Sequence, residues 1–245
     1  MRKPKLALVG YGQMGREIEK QAKIKGYMVT DIFDSDSPID TSERYDFDVA
    51  IEFTEPSQAV DNIKRLTDLG KNVVVGTTGW LDEKEAVEKY INEHGTGLVW
   101  ASNFSVGVQM FFKLVSSFAQ MLDKEDDYDV LMHEFHHKRK KDSPSGTART
   151  LAERLIEGVG RKEKMQIDPL QRKIEKGELH VSSTRGGEIA GTHIIMADSL
   201  ADTIELTHRA KNRSGFALGS LQAASWIHGR KGFHEFGAAL EEKWG

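Results

Sequence analysis

The first hundred residues alternate short apolar runs with amphipathic segments. The apolar runs predict β-strands at residues 5–9, 27–33, 48–53, 72–75 and 97–101. Between them, apolar residues at helical spacing predict a helix after Gly15 and further helices at residues 56–69 and 82–92. Strands that alternate with helices favour a parallel sheet covered by those helices. The pattern therefore predicts an α/β domain of the Rossmann type.

The rhythm changes after residue 104. Apolar residues from Val108 to Leu122 repeat at helical spacing and predict one long helix. Strand candidates follow at residues 128–135, 179–184, 192–197 and 203–207, with no helix predicted between the last three. Such strands favour an α+β domain with a mixed, mostly antiparallel sheet.

At 245 residues the chain is long enough for two domains. A last helical pattern at residues 216–228 is expected to return to the first domain. We therefore predict one domain from residues 1–103 together with 214–245, and a second from residues 104–213.

Composition narrows the function classes. The net charge of −4 gives no general excess of positive charge for a nucleic acid or an anionic membrane. The sequence contains no cysteine, which excludes thiol nucleophiles and zinc-thiolate sites and fits a reducing compartment, with the cytoplasm as the expectation. The N-terminal apolar run stops at Val9, so we expect neither a signal peptide nor a membrane span.

A glycine loop follows the first strand, as Gly10-Tyr11-Gly12-Gln13-Met14-Gly15. Glycines between a strand and a helix allow the backbone to approach a pyrophosphate at the helix N-terminus, where the helix dipole favours an anion. Asp34 ends the second strand at the distance where a carboxylate accepts hydrogen bonds from a ribose. The loop predicts a dinucleotide site. Asp34 favours NADH because a carboxylate repels a 2′-phosphate, although Arg16 could offset part of that repulsion.

Two further turns lie where the predicted parallel strands end, and ligands of doubly wound sheets bind at that edge. Gly76, Thr77 and Thr78 follow the fourth strand. Ala101, Ser102, Asn103 and Phe104 follow the fifth. We expect both turns to line the cofactor, although the first is also compatible with a simple strand-to-helix connection and Phe104 with a place in the core.

The segment from Glu134 to Ala148 concentrates the candidate chemistry. His136, His137 and Lys140 follow a predicted strand, and a histidine is well suited to donate a proton near neutral pH. Ser145 has the chemistry of a helix N-cap, so Gly146 and Thr147 would present the backbone N–H groups of the first turn. Such a helix start, with cations beside it, suits a carboxylate ligand.

Other readings of these residues remain open. Adjacent histidines can bind a metal, but no further ligand stands at a familiar spacing, and we predict no metal site. The basic run from Lys138 to Lys141 alone is typical of a solvated surface or a nucleic-acid patch. A glycine-rich stretch at residues 184–193 is either a flexible hairpin or a loop in which Arg185 reaches an anion.

At these residues the chain resembles the family of 4-hydroxy-tetrahydrodipicolinate reductases, also called dihydrodipicolinate reductases. The family signature, Glu-x-His-His-x-x-Lys-x-Asp-x-Pro-Ser-Gly-Thr-Ala, corresponds to residues 134–148. The resemblance also covers the glycine loop, Gly-Thr-Thr-Gly, Asn-Phe-Ser-Val-Gly and the Arg-Gly-Gly-Glu-Ile-Ala-Gly-Thr-His segment. It extends over nearly the whole chain.

The resemblance implies reduction of a cyclic unsaturated dicarboxylate with NADH or NADPH and release of water, in the diaminopimelate route to lysine. His136 would be the proton donor or acceptor and Lys140 a second donor. The substrate would be held by His137, Gly146 and Thr147, with Ser145 beside them. The cofactor would be lined by Gly10, Tyr11, Gly12, Gln13, Met14, Gly15, Asp34, Gly76, Thr77, Thr78, Ala101, Ser102, Asn103 and Phe104. A homotetramer built through the second domain, without nucleic-acid or membrane partners, is implied.

One departure bears on the cofactor. Many family members carry an extra residue and a basic side chain in the glycine loop, where this chain has Gln13 and Met14. The departure counts against tight NADPH binding. Two alternatives to the reductase remain at this stage: a catalytically silent NAD-responsive binding protein, and a different dehydrogenase. The lack of cysteine excludes a thiol-acylating semialdehyde dehydrogenase.

Overall fold

The computed structural model describes residues 2–244 and divides into two compact units. One unit contains the residues up to Val106 and those from Arg213 onward, and the other is Gly107–Asn212. No helix in the described part of the chain is long and apolar enough to cross a membrane. The helices are α1 Gln13–Ile24, α2 Pro56–Asp68, α3 Lys84–His94, α4 Val106–Leu122, α5 Gly146–Gly158, α6 Ser214–Ile227 and α7 Phe236–Trp244. The strands are β1 Lys5–Val9, β2 Met28–Phe33, β3 Val49–Glu52, β4 Asn72–Val75, β5 Gly97–Trp100, β6 Asp129–His136, β7 Lys164–Gln166, β8 Glu178–Arg185, β9 Thr192–Asp198, β10 Thr203–Arg209 and β11 Gly232–Glu235.

The first unit is a parallel six-stranded sheet in the order β11-β5-β4-β3-β1-β2. Successive side chains of a strand point to opposite faces, and both faces of this sheet are covered. On β1, Leu6 and Leu8 pack in one core with helices α1 and α6, whereas Ala7 and Val9 pack in another with α2 and α3. The predicted Rossmann-type sheet is confirmed, and its strand order reverses between β1 and β3, where such sheets bind their ligands.

Helix α6 packs in the core of the first unit, where Ala217 and Leu221 are buried. Strand β11, which extends the sheet beside β5, was not predicted. Its sequence, Gly-Phe-His-Glu, has neither an apolar run nor a clear alternation, so its strand conformation depends on pairing with β5.

The second unit contains a mixed five-stranded sheet in the order β10-β9-β6-β8-β7. Its two antiparallel ladders, β10 with β9 and β9 with β6, pair seven residues each, and its two parallel ladders pair five and three. The mixed character is confirmed, but half of the ladders are parallel. Helix α5 lies between β6 and β8 in sequence and is the crossover that a parallel pair requires. Helices α4 and α5 pack on one face of this sheet.

Candidate active site

The candidate chemistry of the second unit gathers on one face of its sheet. Glu134 and His136 are two residues apart on β6 and therefore point to the same face. In the strand pairing Glu134 lies opposite Ser183 of β8 and His193 of β9, and His136 lies opposite Arg185 of β8. The register thus brings two imidazoles, a guanidinium and a carboxylate together from three strands.

Glu134 is the centre of this cluster and is fully buried. Its Oε1 accepts hydrogen bonds from the backbone N–H of Ser145 at 2.9 Å, from Ser183 Oγ at 2.9 Å and from Arg185 Nη2 at 2.7 Å. Its Oε2 accepts a hydrogen bond from Ser145 Oγ at 2.5 Å. A buried carboxylate is stable only when its oxygens are satisfied in this way.

Two histidines approach the same carboxylate oxygen. His136 Nδ1 lies 3.2 Å from Glu134 Oε2, close enough for a strong charge interaction although the angle is not that of a directed hydrogen bond. His193 Nε2 lies 3.6 Å from Oε2 and 3.2 Å from Ser145 Oγ. The two imidazole rings meet edge to face with centroids 5.3 Å apart, and both residues are buried.

The environment separates the protonation behaviour of these groups. Burial by itself raises the pKa of the Glu134 carboxyl, but the donors His136, His193, Ser145 and Arg185 outweigh it and hold that pKa far below its usual range. Burial lowers the pKa of His193, despite its contact with Glu134. At neutral pH we therefore expect Glu134 to be ionised and His193 to be neutral.

A glycine loop after β8, residues 186–191, lies against His136. The backbone N–H of Gly186 donates to the His136 carbonyl at 2.9 Å, and that of His137 donates to the Ile189 carbonyl at 2.8 Å. A Cβ built on Gly191, whose φ is +149°, would lie 2.9 Å from His136 Nε2. The loop is tied to the cluster, and only a glycine at residue 191 leaves space beside this ring nitrogen.

Other charges of the basic segment also have partners. Arg139 forms two hydrogen bonds with Glu188 of the glycine loop, at 2.8 and 2.5 Å. The sequence left open whether Arg185 reaches an anionic ligand. In the structure Arg185 pairs with Glu134 of its own sheet. Arg139 therefore fastens the glycine loop, whereas Arg185 neutralises the buried carboxylate.

Helix α5 begins at the predicted position. Ser145 is its N-cap, and the Ser145 hydroxyl accepts a hydrogen bond from the Ala148 N–H at 3.2 Å. This hydroxyl is buried and also donates to Glu134, so it braces the helix start from inside. Gly146 is exposed and Thr147 is half-buried, which leaves their first-turn backbone on the accessible side.

Lys140 reaches the same neighbourhood from the loop before α5. Its Nζ lies 2.8 Å from Asp142 Oδ1, and its side chain is 24% exposed. Burial raises the pKa of Asp142, but Lys140 and the backbone N–H groups of Asp142 and Gly146 outweigh it and lower that pKa. Lys140 is thus a reachable cation held close to the helix start.

Glu134, His136 and His193 also offer three metal-ligating atoms within 4.8 Å of one another. Both oxygens of Glu134 already accept hydrogen bonds from Ser145 and Arg185, and a cation bound there would stand beside the Arg185 guanidinium. The donor set therefore suits proton transfer better than metal binding.

In the first unit the glycine loop after β1 has the shape that a dinucleotide needs. A Cβ on Gly10, with φ at +90°, would lie 2.2 Å from the Phe53 carbonyl oxygen, and a Cβ on Gly15 would lie 2.3 Å from the Gly10 carbonyl oxygen. A Cβ on Gly12 would meet nothing within 4 Å. Helix α1 has no side-chain cap and no acidic residue in its first turn, so its backbone N–H groups suit a phosphate.

Two adjoining clefts follow this loop, with volumes of about 270 and 390 Å³. They share Met14, Phe53 and Gly76. Of the residues predicted for the cofactor, the clefts are lined by Gly12, Gln13, Met14, Gly76, Thr77, Thr78, Ala101, Ser102, Asn103 and Phe104, while Gly10, Tyr11, Gly15 and Asp34 lie outside their lining. The Phe104 side chain is 1% exposed and packs on Phe236, so its ring belongs to the core.

Asp34 follows β2, as predicted, and its carboxylate is fixed by its own turn. The backbone N–H groups of Asp36 and Ser37 both donate to Asp34 Oδ1 at 3.0 Å. Arg16 of α1 lies over the ring of Tyr11, at 4.8 Å from the centroid. The Asp34 carboxylate is therefore held in one orientation by its own turn.

Sequence reasoning missed several residues of both sites. In the second unit these are Ser183 and His193, which join the site through strand register, and Gly191, which joins it through the loop before β9. In the first unit they are Phe53, Thr54, Pro56, Arg213 and Phe216, which line the clefts. The Gly191-Thr192-His193 run, which leads from the glycine-rich stretch into β9, was a usable signal for His193.

Comparisons with known proteins show the family of the chain. The family model for the dihydrodipicolinate reductase N-terminus matches residues 4–104, and that for the C-terminus matches residues 107–240. The chain is 38% identical to the 4-hydroxy-tetrahydrodipicolinate reductase of Christiangramia forsetii over 93% of both chains. It is 42% identical to that of Methanoregula boonei over 75% of this chain and 71% of the relative.

A solved structure shows the same fold. It is the dipicolinate-bound dihydrodipicolinate reductase from Paenisporosarcina sp. TG-14, with a TM-score of 0.77, 21% identity, and coverage of 97% of this chain and 99% of that one. The two family models together span nearly the whole chain. The relatives named above are 38% and 42% identical to it. The chain belongs to the dihydrodipicolinate reductase family.

Proposed function

We propose that the chain catalyses the NADH- or NADPH-dependent reduction of 4-hydroxy-tetrahydrodipicolinate to tetrahydrodipicolinate, with release of water, in the diaminopimelate route to lysine. The observation that carries the proposal is the cluster at the end of β6. There a buried, satisfied carboxylate and two imidazoles stand beside a helix start and a reachable lysine. A site for a dicarboxylate that must be protonated during reduction needs these groups.

The residues of the second unit divide into proton donors and substrate holders. His136 exchanges a proton with the substrate, and Lys140 is the second donor. His137 and the backbone N–H groups of Gly146 and Thr147 hold a carboxylate, which the positive end of the α5 dipole stabilises. Ser145 lies beside them and keeps that helix start in place through Glu134. These cations and dipoles stabilise the charge that develops as hydride adds to the conjugated system.

Bound NADH or NADPH supplies the hydride. In the proposal the first-turn N–H groups of α1 hold the pyrophosphate, and the glycine loop from Gly10 to Gly15 lets it approach the backbone. The Gly76–Thr78 and Ala101–Phe104 turns line the two clefts on the nicotinamide side. Asp34 accepts hydrogen bonds from the adenosine ribose. The preset carboxylate, and the lack of a basic side chain at Gln13 and Met14, support a preference for NADH.

Assembly as a homotetramer through the second unit is part of the proposal. Helices cover one face of its sheet, while the other carries the half-buried apolar side chains of Phe135, Ile194 and Met196 and the exposed Leu131. Apolar side chains left partly exposed on an uncovered sheet face are compatible with a surface that another subunit covers. Light scattering after gel filtration measures the mass, and a monomer would contradict this part. The absence of cysteine is compatible with the cytoplasm as the location.

The test of the function uses the purified protein, reduced nicotinamide and the condensation product of pyruvate and aspartate semialdehyde. We expect the absorbance of the reduced nicotinamide to fall only when all three are present. Dipicolinate, a planar dicarboxylate, should inhibit competitively with the substrate. No oxidation by a folded protein would contradict the proposed function and favour a silent NAD-responsive binding protein.

A further inference from the structure

The buried carboxylate of Glu134 has a place in the site that substrate binding does not explain. It is fully buried, so no substrate reaches it, yet its Oε2 lies 3.2 Å from Nδ1 of His136. Arg185 lies on the Oε1 side, whereas Oε2 faces the imidazoles of His136 and His193. The arrangement is that of a carboxylate that orients a catalytic histidine.

The two nitrogens of His136 have different surroundings. Nδ1 is buried and makes no directed hydrogen bond within residues 2–244, and Glu134 Oε2 is the acceptor within its reach, at 3.2 Å. Nε2 faces Gly191, where the lack of a side chain leaves space beside it. One nitrogen is thus closed against a carboxylate and the other lies under a glycine.

We propose that Glu134 is a positioning residue, which keeps the Nδ1 proton of His136 on the carboxylate side so that Nε2 is the nitrogen that exchanges protons with the substrate. This inference rests on the proposed function. In the protonated ring both nitrogens carry a proton. The Nε2–H bond breaks as the proton passes to the substrate, and the neutral ring retains its Nδ1 proton beside Glu134.

Further contacts keep Glu134 in place for this task. Ser145 and His193 lie on the Oε2 side, and Arg185 and Ser183 hold Oε1. Because Arg185 neutralises the carboxylate from the Oε1 side, Oε2 can face His136 without an isolated buried charge.

Several charged groups surround His136 and enter its pH dependence. Glu134 shares its strand, Arg185 comes from β8 and His193 from β9. Lys140 and Asp142 come from the following loop. Among these strand residues Glu134 supplies the negative charge that faces His136 Nδ1.

The first test reads the tautomer directly in the wild-type protein. Nitrogen-15 NMR of the imidazoles, with His136 assigned by its loss in the His136→Gln spectrum, distinguishes a proton on Nδ1 from one on Nε2. At alkaline pH we expect the neutral ring of His136 to carry its proton on Nδ1. A ring protonated on Nε2 would overturn the inference.

The second test compares pH profiles of kcat for the wild type, Glu134→Gln and Ser183→Ala. We expect Glu134→Gln to lower kcat at least about tenfold and to move the alkaline half-activity point to lower pH, because the variant lacks the negative charge beside the ring. Ser183→Ala removes one hydrogen bond to Oε1 without changing the charge, so its half-activity point should stay in place.

The outcomes separate this inference from the proposed function. A Glu134→Gln profile that matches the wild type after scaling would mean that Glu134 is only structural. A wild type that does not oxidise the cofactor would contradict the proposed function instead, while the tautomer would still decide the orientation of His136.

Discussion

Substitution of Gly191 by alanine tests how tightly the loop of residues 186–191 fits against His136. The Cβ would lie 2.9 Å from Nε2, whereas ordinary contacts begin near 3.4 Å, so ring or loop must move by about 0.5 Å. Overpacking of this kind costs about 1–3 kcal/mol. A non-glycine residue at this φ adds about 1–3 kcal/mol of backbone strain.

The movement affects His136 Nε2, the nitrogen that we propose exchanges protons with the substrate. A misplacement of about 1 Å costs roughly 10²-fold in rate, so we expect kcat of Gly191→Ala to fall at least about tenfold. Steady-state oxidation of the reduced nicotinamide measures kcat, and thermal unfolding measures the strain.

The same loop offers a matched control. Gly187 has φ of +54°, but a Cβ there would meet nothing within 4 Å. Gly187→Ala should therefore lose about 1–2 kcal/mol of stability to backbone strain with little change in kcat. If the two variants had equal kcat, the proposed fit of Gly191 against His136 would be wrong.

Three other expectations follow from the sites. His136→Gln and Lys140→Ala should each lower kcat about 10²-fold or more, and wild-type turnover in both would remove their assigned roles. The wild type should use NADH about tenfold or more better than NADPH by kcat/KM, and Asp34→Asn, which keeps the turn but loses the charge, should narrow that ratio; an unchanged ratio would contradict the role of Asp34. Burial raises the pKa of Glu52 from its ordinary value of 4.5, although Thr54 donates to it, so the wild type loses stability as pH rises from about 4.5 through the raised folded value. Glu52→Gln should remove this loss, by about 1.4 kcal/mol for each unit of the shift, and equal pH dependence of the two unfolding free energies would refute it.

Much of the fold could be predicted because the chain's local patterns agree with its tertiary structure. Apolar runs such as residues 72–75 are buried on both faces of a parallel sheet, which makes them visible without any partner. Strand β11 has no such run, and its conformation depends on pairing with β5. The parallel pairing of β6 and β8 was missed because α5 was expected only as a helix start and not as a crossover.

The candidate site shows the same division. Ser145 was predicted as an N-cap because capping is local and depends on side-chain chemistry. His193 and Ser183 could not be placed, since they meet Glu134 through register between strands about fifty residues apart in sequence. Register also decides that Arg185 pairs with Glu134 rather than with a ligand. Features that depend on neighbouring residues could therefore be predicted from the sequence, whereas contacts between distant strands could not.

In the proposed reaction, hydride passes from the nicotinamide to the dicarboxylate on this protein. The direct measurement uses NADH deuterated at the transferable position, with the product analysed by mass spectrometry. We expect the wild type to form tetrahydrodipicolinate that carries one deuterium. The His136→Gln variant should form much less of this product. Product without deuterium, or oxidation of NADH without tetrahydrodipicolinate, would contradict it.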